Sequence, residues 1–189
     1  MTDRLITPTM EPHRGSLLVA TPQLEDPNFR RSVVLMIEHG SEGSLGVILN
    51  QPSSAVLYGA LPNWATGLDS STQVFSGGPV QPDALVALAP ASEAWAGATP
   101  VTEGIAMLDL EADVDADQID ASTVRYYIGY SGWSPGQLRL EIEEGAWWTF
   151  GATSNDLSLE PSNCWSQVLS RQQSAARLLA MYPDQSFLN

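Results

Sequence analysis

The chain of 189 residues has no lysine, one cysteine (Cys164), two histidines (His13 and His39) and no long apolar run. Each shortage removes a class of function. Without lysine the usual phosphate grip of a P-loop is missing, and neither G-x-x-x-x-G-K-[ST] nor G-x-G-x-x-G occurs. A lone cysteine excludes an internal disulfide framework and any multi-cysteine zinc or iron-sulfur centre, and it suits a reducing compartment. The longest strongly apolar stretch, Val33 to Ile37, falls far short of the roughly 20 residues that cross a bilayer. Asp3, Pro8, Glu11 and Pro12 stand where a secretory signal would be apolar, so a cytoplasmic location is expected.

Positive charge is scarce as well. Eight arginines face 11 Asp and 11 Glu, for a net charge of -14. Binding to duplex DNA rests on several cationic contacts to phosphate, and the only adjacent basic pair is Arg30 and Arg31. Direct nucleic-acid binding and attachment to an anionic membrane are therefore both unexpected. Eight carboxylates lie between Glu93 and Asp120 with no arginine among them. That segment reads as a solvated acidic arc. Asp109-x-Glu111-x-Asp113-x-Asp115-x-Asp117 could in principle gather a hard cation, but Gln118 and Val124 occupy positions where an EF-hand needs glycine and glutamate. No metal and no cofactor are expected.

What is present is ordinary globular material, 43% hydrophobic and 8% aromatic. Residues 1–14 read as a flexible arm, and 15–189 as a single domain. Strands are expected at Ser16 to Ala20, at Ser32 to Glu38, which is almost wholly apolar and so central, and at Leu45 to Asn50. The last two should form a hairpin with a six-residue connection. Helical spacing over Val56 to Trp64 is broken by Gly59 and Pro62. Further strands are expected at Gln73 to Phe75, Leu85 to Ala89, Val101 to Leu108, Thr123 to Tyr130 and Trp147 to Thr153. Between the last two, Ser134-Pro135-Gly136-Gln137 reads as a helix start with Ser134 as cap, Pro135 first in the helix and Gln137 closing a capping box. Leu138 and Ile142 would share its buried face, and Gly145 would stop it. Trp165, Val168, Leu169, Ala176 and Leu179 mark C-terminal helix in one or two pieces. Strands with few, unevenly spaced helices point to an α+β fold.

Catalytic constellations are hard to find. Gly129-Tyr130-Ser131-Gly132-Trp133 approaches a nucleophile elbow but has Trp133 in place of the second glycine. Cys164, in the first turn of its helix, would be favoured as thiolate by the helix dipole, against the reading of an inert buried thiol. His39 at a strand end is read as a turn residue. Gly77-Gly78 and the Ser134 to Gln137 start expose backbone N–H groups that could hold a small anion or a carbonyl oxygen. The competing reading is that the glycines only turn the chain and permit close approach. Trp133, expected in a loop beside a glycine turn, could wall a pocket.

Four segments together resemble the AlgH/YqgE family of small bacterial proteins, over nearly the whole chain from Gly15. They are Gly15 to Ala20 with Asp26 to Val34; Glu38-His39 with Gly43 to Pro52; Gly77-Gly78-Pro79-Val80; and Gly129 to Leu138, the most specific. Gln51 replaces a usual arginine, Ser131 a common alanine, and Gln173-Ser174 the glycines that often separate the last helices. The resemblance implies a mixed, bifurcated sheet curled into a pseudo-barrel with flanking helices. Members of that family often carry the label of transcriptional regulators, and the resemblance implies neither catalytic residues nor a ligand.

The leading expectation is a binding module without catalysis, in which three turns converge to hold a small polar ligand or a protein segment. Its candidate residues are Asn50, Pro52, Gly77, Gly78, Pro79, Tyr130, Gly132, Trp133, Gly136 and Gln137. Two alternatives stand beside it: an indirect transcriptional regulator acting through a partner protein, and an enzyme using Cys164 or His39. In a fourth reading the segments specify the fold and bind nothing.

Overall fold

Val33 to Ile37 are buried without exception, which is possible only for a strand covered on both faces, and the sheet is built outward from it. A computed structural model describes residues 10–55, 72–91, 97–112, 120–173 and 176–181. Within them the strands are β1 (Ser16–Ala20), β2 (Val33–Gly40), β3 (Gly43–Ile48), β4 (Pro52–Ser53), β5 (Val74–Ser76), β6 (Val80–Pro90), β7 (Ala98–Pro100), β8 (Ile105–Leu108), β9 (Arg125–Trp133) and β10 (Trp147–Gly151). The helices are α1 (Gln137–Glu143), α2 (Pro161–Ser170) and α3 (Ala176–Leu179). The strand order is β10-β1-β2-β3-β9-β6-β8-β7, in a strongly curled, largely antiparallel half-barrel with a few helices. The fold is α+β, as the sequence pattern suggests.

The bifurcation has a definite place. β9 pairs with β6 along one side, while the other side is shared: β3 pairs with Ser131 to Trp133, and β5 runs parallel to Tyr126 to Ile128. One strand thus serves two diverging neighbours.

Alternation along β1 and β2 divides the core in two. Leu17, Val19, Val33, Leu35 and Ile37 face one side, where α2 packs Cys164, Trp165, Val168 and Leu169 onto the sheet. Pro161 begins α2 where its missing N–H costs nothing. Leu18, Ala20, Val34, Met36 and Ile48 face the other side, with Leu138 of α1, Trp133 and Trp147. There Phe29, Trp133 and Trp147 pack ring to ring with centroids 5.5–6.2 Å apart. Glu141 anchors the group: its Oε2 accepts the indole N–H of Trp133 at 2.9 Å and of Trp147 at 2.8 Å, and its Oε1 accepts from the Gln137 amide at 2.9 Å. Glu141→Ala orphans two indole donors, and a loss of about 2 kcal/mol in urea unfolding is expected. A change in native tryptophan emission should accompany it, and an unchanged spectrum would contradict this role.

Several boundaries differ from the sequence expectation, each for a local reason. β2 and β3 run on to pair Gly40 with Gly43, leaving a two-residue turn in place of the six-residue connection. The exposed polar residues 38–40 extend the ladder past the core, beyond a bulge between Met36 and Glu38. Val101 to Leu108 is not one strand. Thr102 Oγ1 accepts the N–H groups of Gly104 (3.0 Å) and Ile105 (2.9 Å) and folds a turn between β7 and β8. β9 begins at Arg125, after a short 3-10 turn at Ala121–Thr123. β6 starts at Val80, despite Pro82, through an irregular stretch in which Gln81 takes a φ of 44°. β10 ends at Gly151, because Thr153 opens a 3-10 turn at Ser154–Ser158. α1 starts at Gln137, not Pro135: Gly136, with φ 79°, is the cap residue. Half of the expected box exists, since Gln137 Oε1 accepts the Ser134 N–H at 2.9 Å. The broken helix expected over Val56 to Trp64 lies outside the described residues.

Candidate functional site

Gly77, Gly78 and Gly129 sit together at the fork where β5 and β3 share β9. A Cβ on Gly77 would lie 2.2 Å from Gly129 O, one on Gly78 2.3 Å from Tyr130 C, and one on Gly129 2.5 Å from Gly78 O. No side chain fits between backbones this close. The Pro52 turn joins them, with Pro52 opposite Phe75 and the Ser76 N–H donating to Gln51 O at 2.8 Å. The Pro52 turn, Gly77-Gly78 and the Gly129-Tyr130 stretch therefore meet in space, while Gly136 and Gln137 stand at the start of α1, past the end of β9.

The polar groups of Gly77, Asn50, Gln137 and Trp133, however, are engaged within the protein. Gly77 N–H donates to Ile128 O, and Gly77 O accepts both the Ile48 N–H and the Ser131 hydroxyl. Asn50 engages both ends of its amide: Oδ1 accepts the Val33 N–H at 2.8 Å and Nδ2 donates to Arg31 O at 2.9 Å. Gln137 is held by Ser134 and Glu141. Trp133, far from lying in a loop, ends β9 at 6% exposure with its N–H on Glu141. Pro52, Pro79, Gly132 and Gly136 are exposed and Tyr130 is half-buried. Close backbone approach accounts for Gly77, Gly78 and Gly129.

The two candidate reactive side chains are apart from this fork. Cys164 is fully buried. Burial pushes its thiol up to about 12, the Asp156 charge adds to this, and Arg125 and Arg171 oppose it. The alternative of a dipole-stabilised thiolate is thus reversed, and the inert buried thiol also read from the sequence is what α2 makes of Cys164 by turning it into the core. His39 is exposed on the β2–β3 hairpin, its Nδ1 2.7 Å from Ser44 Oγ. Burial likewise raises Tyr126 to about 12 and raises Tyr127 further. For all three groups the folded chain keeps a proton that the unfolded chain releases, so stability is expected to fall as pH rises from about 9. Cys164→Ala should flatten the first part of that decline in pH-dependent urea unfolding; an identical slope would refute the assignment. Among the described residues no group of three or more His, Cys, Asp or Glu could hold a metal ion. Asp113, Asp115 and Asp117 of the acidic arc lie outside them.

A concave site is found elsewhere. The end of β10 and the turn that follows β7, at opposite ends of the strand order, meet at one groove of about 500 Å3, lined by residues 13–15, 101–104 and 151–154. Close backbone approach frames it: a Cβ on Gly15 would lie 2.8 Å from Val101 O, and one on Gly104 2.8 Å from Ser154 Cβ. Arginines tie its banks. Arg14 Nη2 donates to Pro100 O at 2.7 Å, and Arg171 Nη2 to Gly151 O at 3.1 Å. Arg171 also pairs bidentately with the fully buried Asp156, whose Oδ2 accepts the Thr153 N–H at 2.6 Å. At the other bank His13 is held by Ser16, whose Oγ accepts the His13 N–H at 3.0 Å and lies 2.8 Å from its Nδ1. Sequence reasoning weighed His13 only as a catalytic base and did not single out Arg14, Glu103 or Ser154. They are up to 140 residues apart and form no motif, so only curling of the sheet unites them.

A family model described as AlgH-like matches residues 17–177. The chain belongs to the AlgH-like family. It is 41% identical over 182 residues to a UPF0301 protein of Streptomyces avermitilis, covering 93% of this chain and 94% of that one. It is also 41% identical over 175 residues to a UPF0301 protein of Mycobacterium avium, with 89% and 87% covered. Among solved structures, a Corynebacterium diphtheriae protein superposes with TM-score 0.80 at 28% identity, covering 93% of this chain and 95% of that one. The AlgH protein of Pseudomonas aeruginosa superposes with TM-score 0.65 at 27% identity, covering 95% and 99%. The AlgH-like chain has no helix among its described residues that is long and apolar enough to cross a membrane.

Proposed function

We propose that this AlgH-like protein is a binding module without catalysis, and that the groove between the two ends of its sheet holds a small polar ligand or a short protein segment. One contrast carries the reading. The polar groups of Gly77, Asn50 and Gln137 are engaged internally, whereas Arg14, Glu103 and Ser154 line a concave space of about 500 Å3, within the range that small-molecule sites occupy. The glycine segments then act as the frame that curls the sheet and brings its ends together. A cytoplasmic setting belongs to this reading, in keeping with one buried, reduced thiol, and a net charge of -14 disfavours duplex DNA as the occupant.

The test is a thermal-shift screen of metabolites and short peptides on wild-type protein and on Ser154→Trp, which fills the groove from an exposed position. A ligand present at 100 times its Kd adds about 2.7 kcal/mol to native stability, and that gain should vanish in the variant. Hits that stabilise both proteins alike, or that perturb amides at the glycine fork instead, would move the site away from the groove.

A further inference from the structure

Two opposite charges line the groove without meeting. Arg14 gives one N–H group to Pro100 O, and among the described residues its other guanidinium donors have no partner. Glu103 is exposed and, among the described residues, makes no hydrogen bond or ion pair. Both side chains line the same space. Hydroxyls share that lining: Thr102 Oγ1 accepts two backbone N–H groups, which leaves its own hydrogen available as a donor, and Ser154 adds a second hydroxyl.

A purely anionic ligand would suit Arg14 and be repelled by Glu103. A purely cationic one would meet the reverse. An uncharged ligand would cover both groups and satisfy neither, which is unfavourable for charges drawn away from water. Only a molecule with a carboxylate and an ammonium together answers all the groups present. We infer that the groove takes a small zwitterion of the free amino-acid and short-peptide class, its carboxylate on Arg14 and its ammonium on Glu103. This rests on the groove being the recognition surface. Arg14 is suited to the task, because a planar guanidinium can bond a carboxylate while one of its N–H groups remains on a carbonyl. A volume of about 500 Å3 is of the size that holds small molecules, and an extended tripeptide spans about 10 Å.

The experiment is a 15N chemical-shift titration of the full chain with a pool of Ala-Xaa-Ala tripeptides in three forms: both ends free, N-acetylated and C-amidated. The free form should shift amides of residues 101–104 and 151–154 saturably. Each capped form should bind at least about tenfold more weakly, the loss of one charge-assisted contact. Arg14→Gln should abolish the preference for free over amidated peptide and keep that for free over acetylated, while Glu103→Gln does the opposite. Both sites are exposed, and an unchanged Tm verifies that the variants are folded. Equal affinity for the three forms, or no saturable shift with the free form, overturns the inference. If the screen finds a neutral or singly charged ligand that shifts the groove amides, the groove stands as the site and the zwitterion falls. If no compound shifts them, both readings fall.

Discussion

Gly129→Ala should destabilise the protein by roughly 3 kcal/mol or more, while Gly132→Ala, three positions along the same strand, should change stability by less than about 0.5 kcal/mol. Gly129 has a φ of 68°, a conformation that costs a residue with a side chain about 1–2 kcal/mol. Its new methyl would also stand 2.5 Å from Gly78 O and 3.0 Å from Val80 O, neither of which can yield without breaking the pairing of β6 with β9. Around Gly132 the nearest atoms are Tyr130 Cε2 and Val80 Cγ2, both at 3.8 Å, an ordinary contact. Gly136→Ala separates the two costs: with φ 79° and no atom within 4 Å, it should lose about 1 kcal/mol from the backbone alone. Urea unfolding of the three variants measures the series directly. Three equal losses would mean that the fork is no tighter than its surroundings.

The second large effect is expected at the seam. Arg171→Ala leaves the fully buried Asp156 carboxylate facing only the Thr153 groups, and breaking a buried pair from one side costs about 3–5 kcal/mol. Arg171 is itself 30% exposed, so the lower end of that range is expected. The variant also loses the bonds to Gly151 O and Thr153 Oγ1, which tie the end of α2 to the bank of the groove. Asp156→Ala should cost a similar amount, and the double variant clearly less than the sum, because the two residues act as one unit. Additive losses in the unfolding cycle would show that the pair is not coupled.

Whether the groove binds as proposed is a question separate from these two. Gly129 and Arg171 govern the frame and the seam, and neither is offered as a ligand contact. Ser154, Arg14 and Glu103 are exposed, and changing them tests recognition at little expected cost to folding.

Composition and periodicity determined a good deal here. The apolar run at Val33 to Ile37 could only be a doubly covered central strand, and the uneven spacing of strands and helices set the α+β class. The spacing of Trp165, Val168 and Leu169 placed one helix face on the core. The glycine segments could also be picked out by eye, because a backbone that must approach another within a side chain's width leaves its mark as glycine in the sequence. What those glycines approach is a different matter. Ligand and neighbouring strand make the same demand on a Cβ, and only the position of Gly129 under Gly78 distinguishes them. The burial of Trp133 was out of reach, since a residue's place at a strand end does not state which way the strand faces, whereas a buried thiol was already the sequence reading for Cys164. The groove depends on the curl of the sheet, which sums small twists over many strands to bring residue 14 beside residues 103 and 154. No local pattern encodes that distance, so the tertiary structure alone decided that Arg14 and Glu103, with no ion pair among the described residues, would share one space.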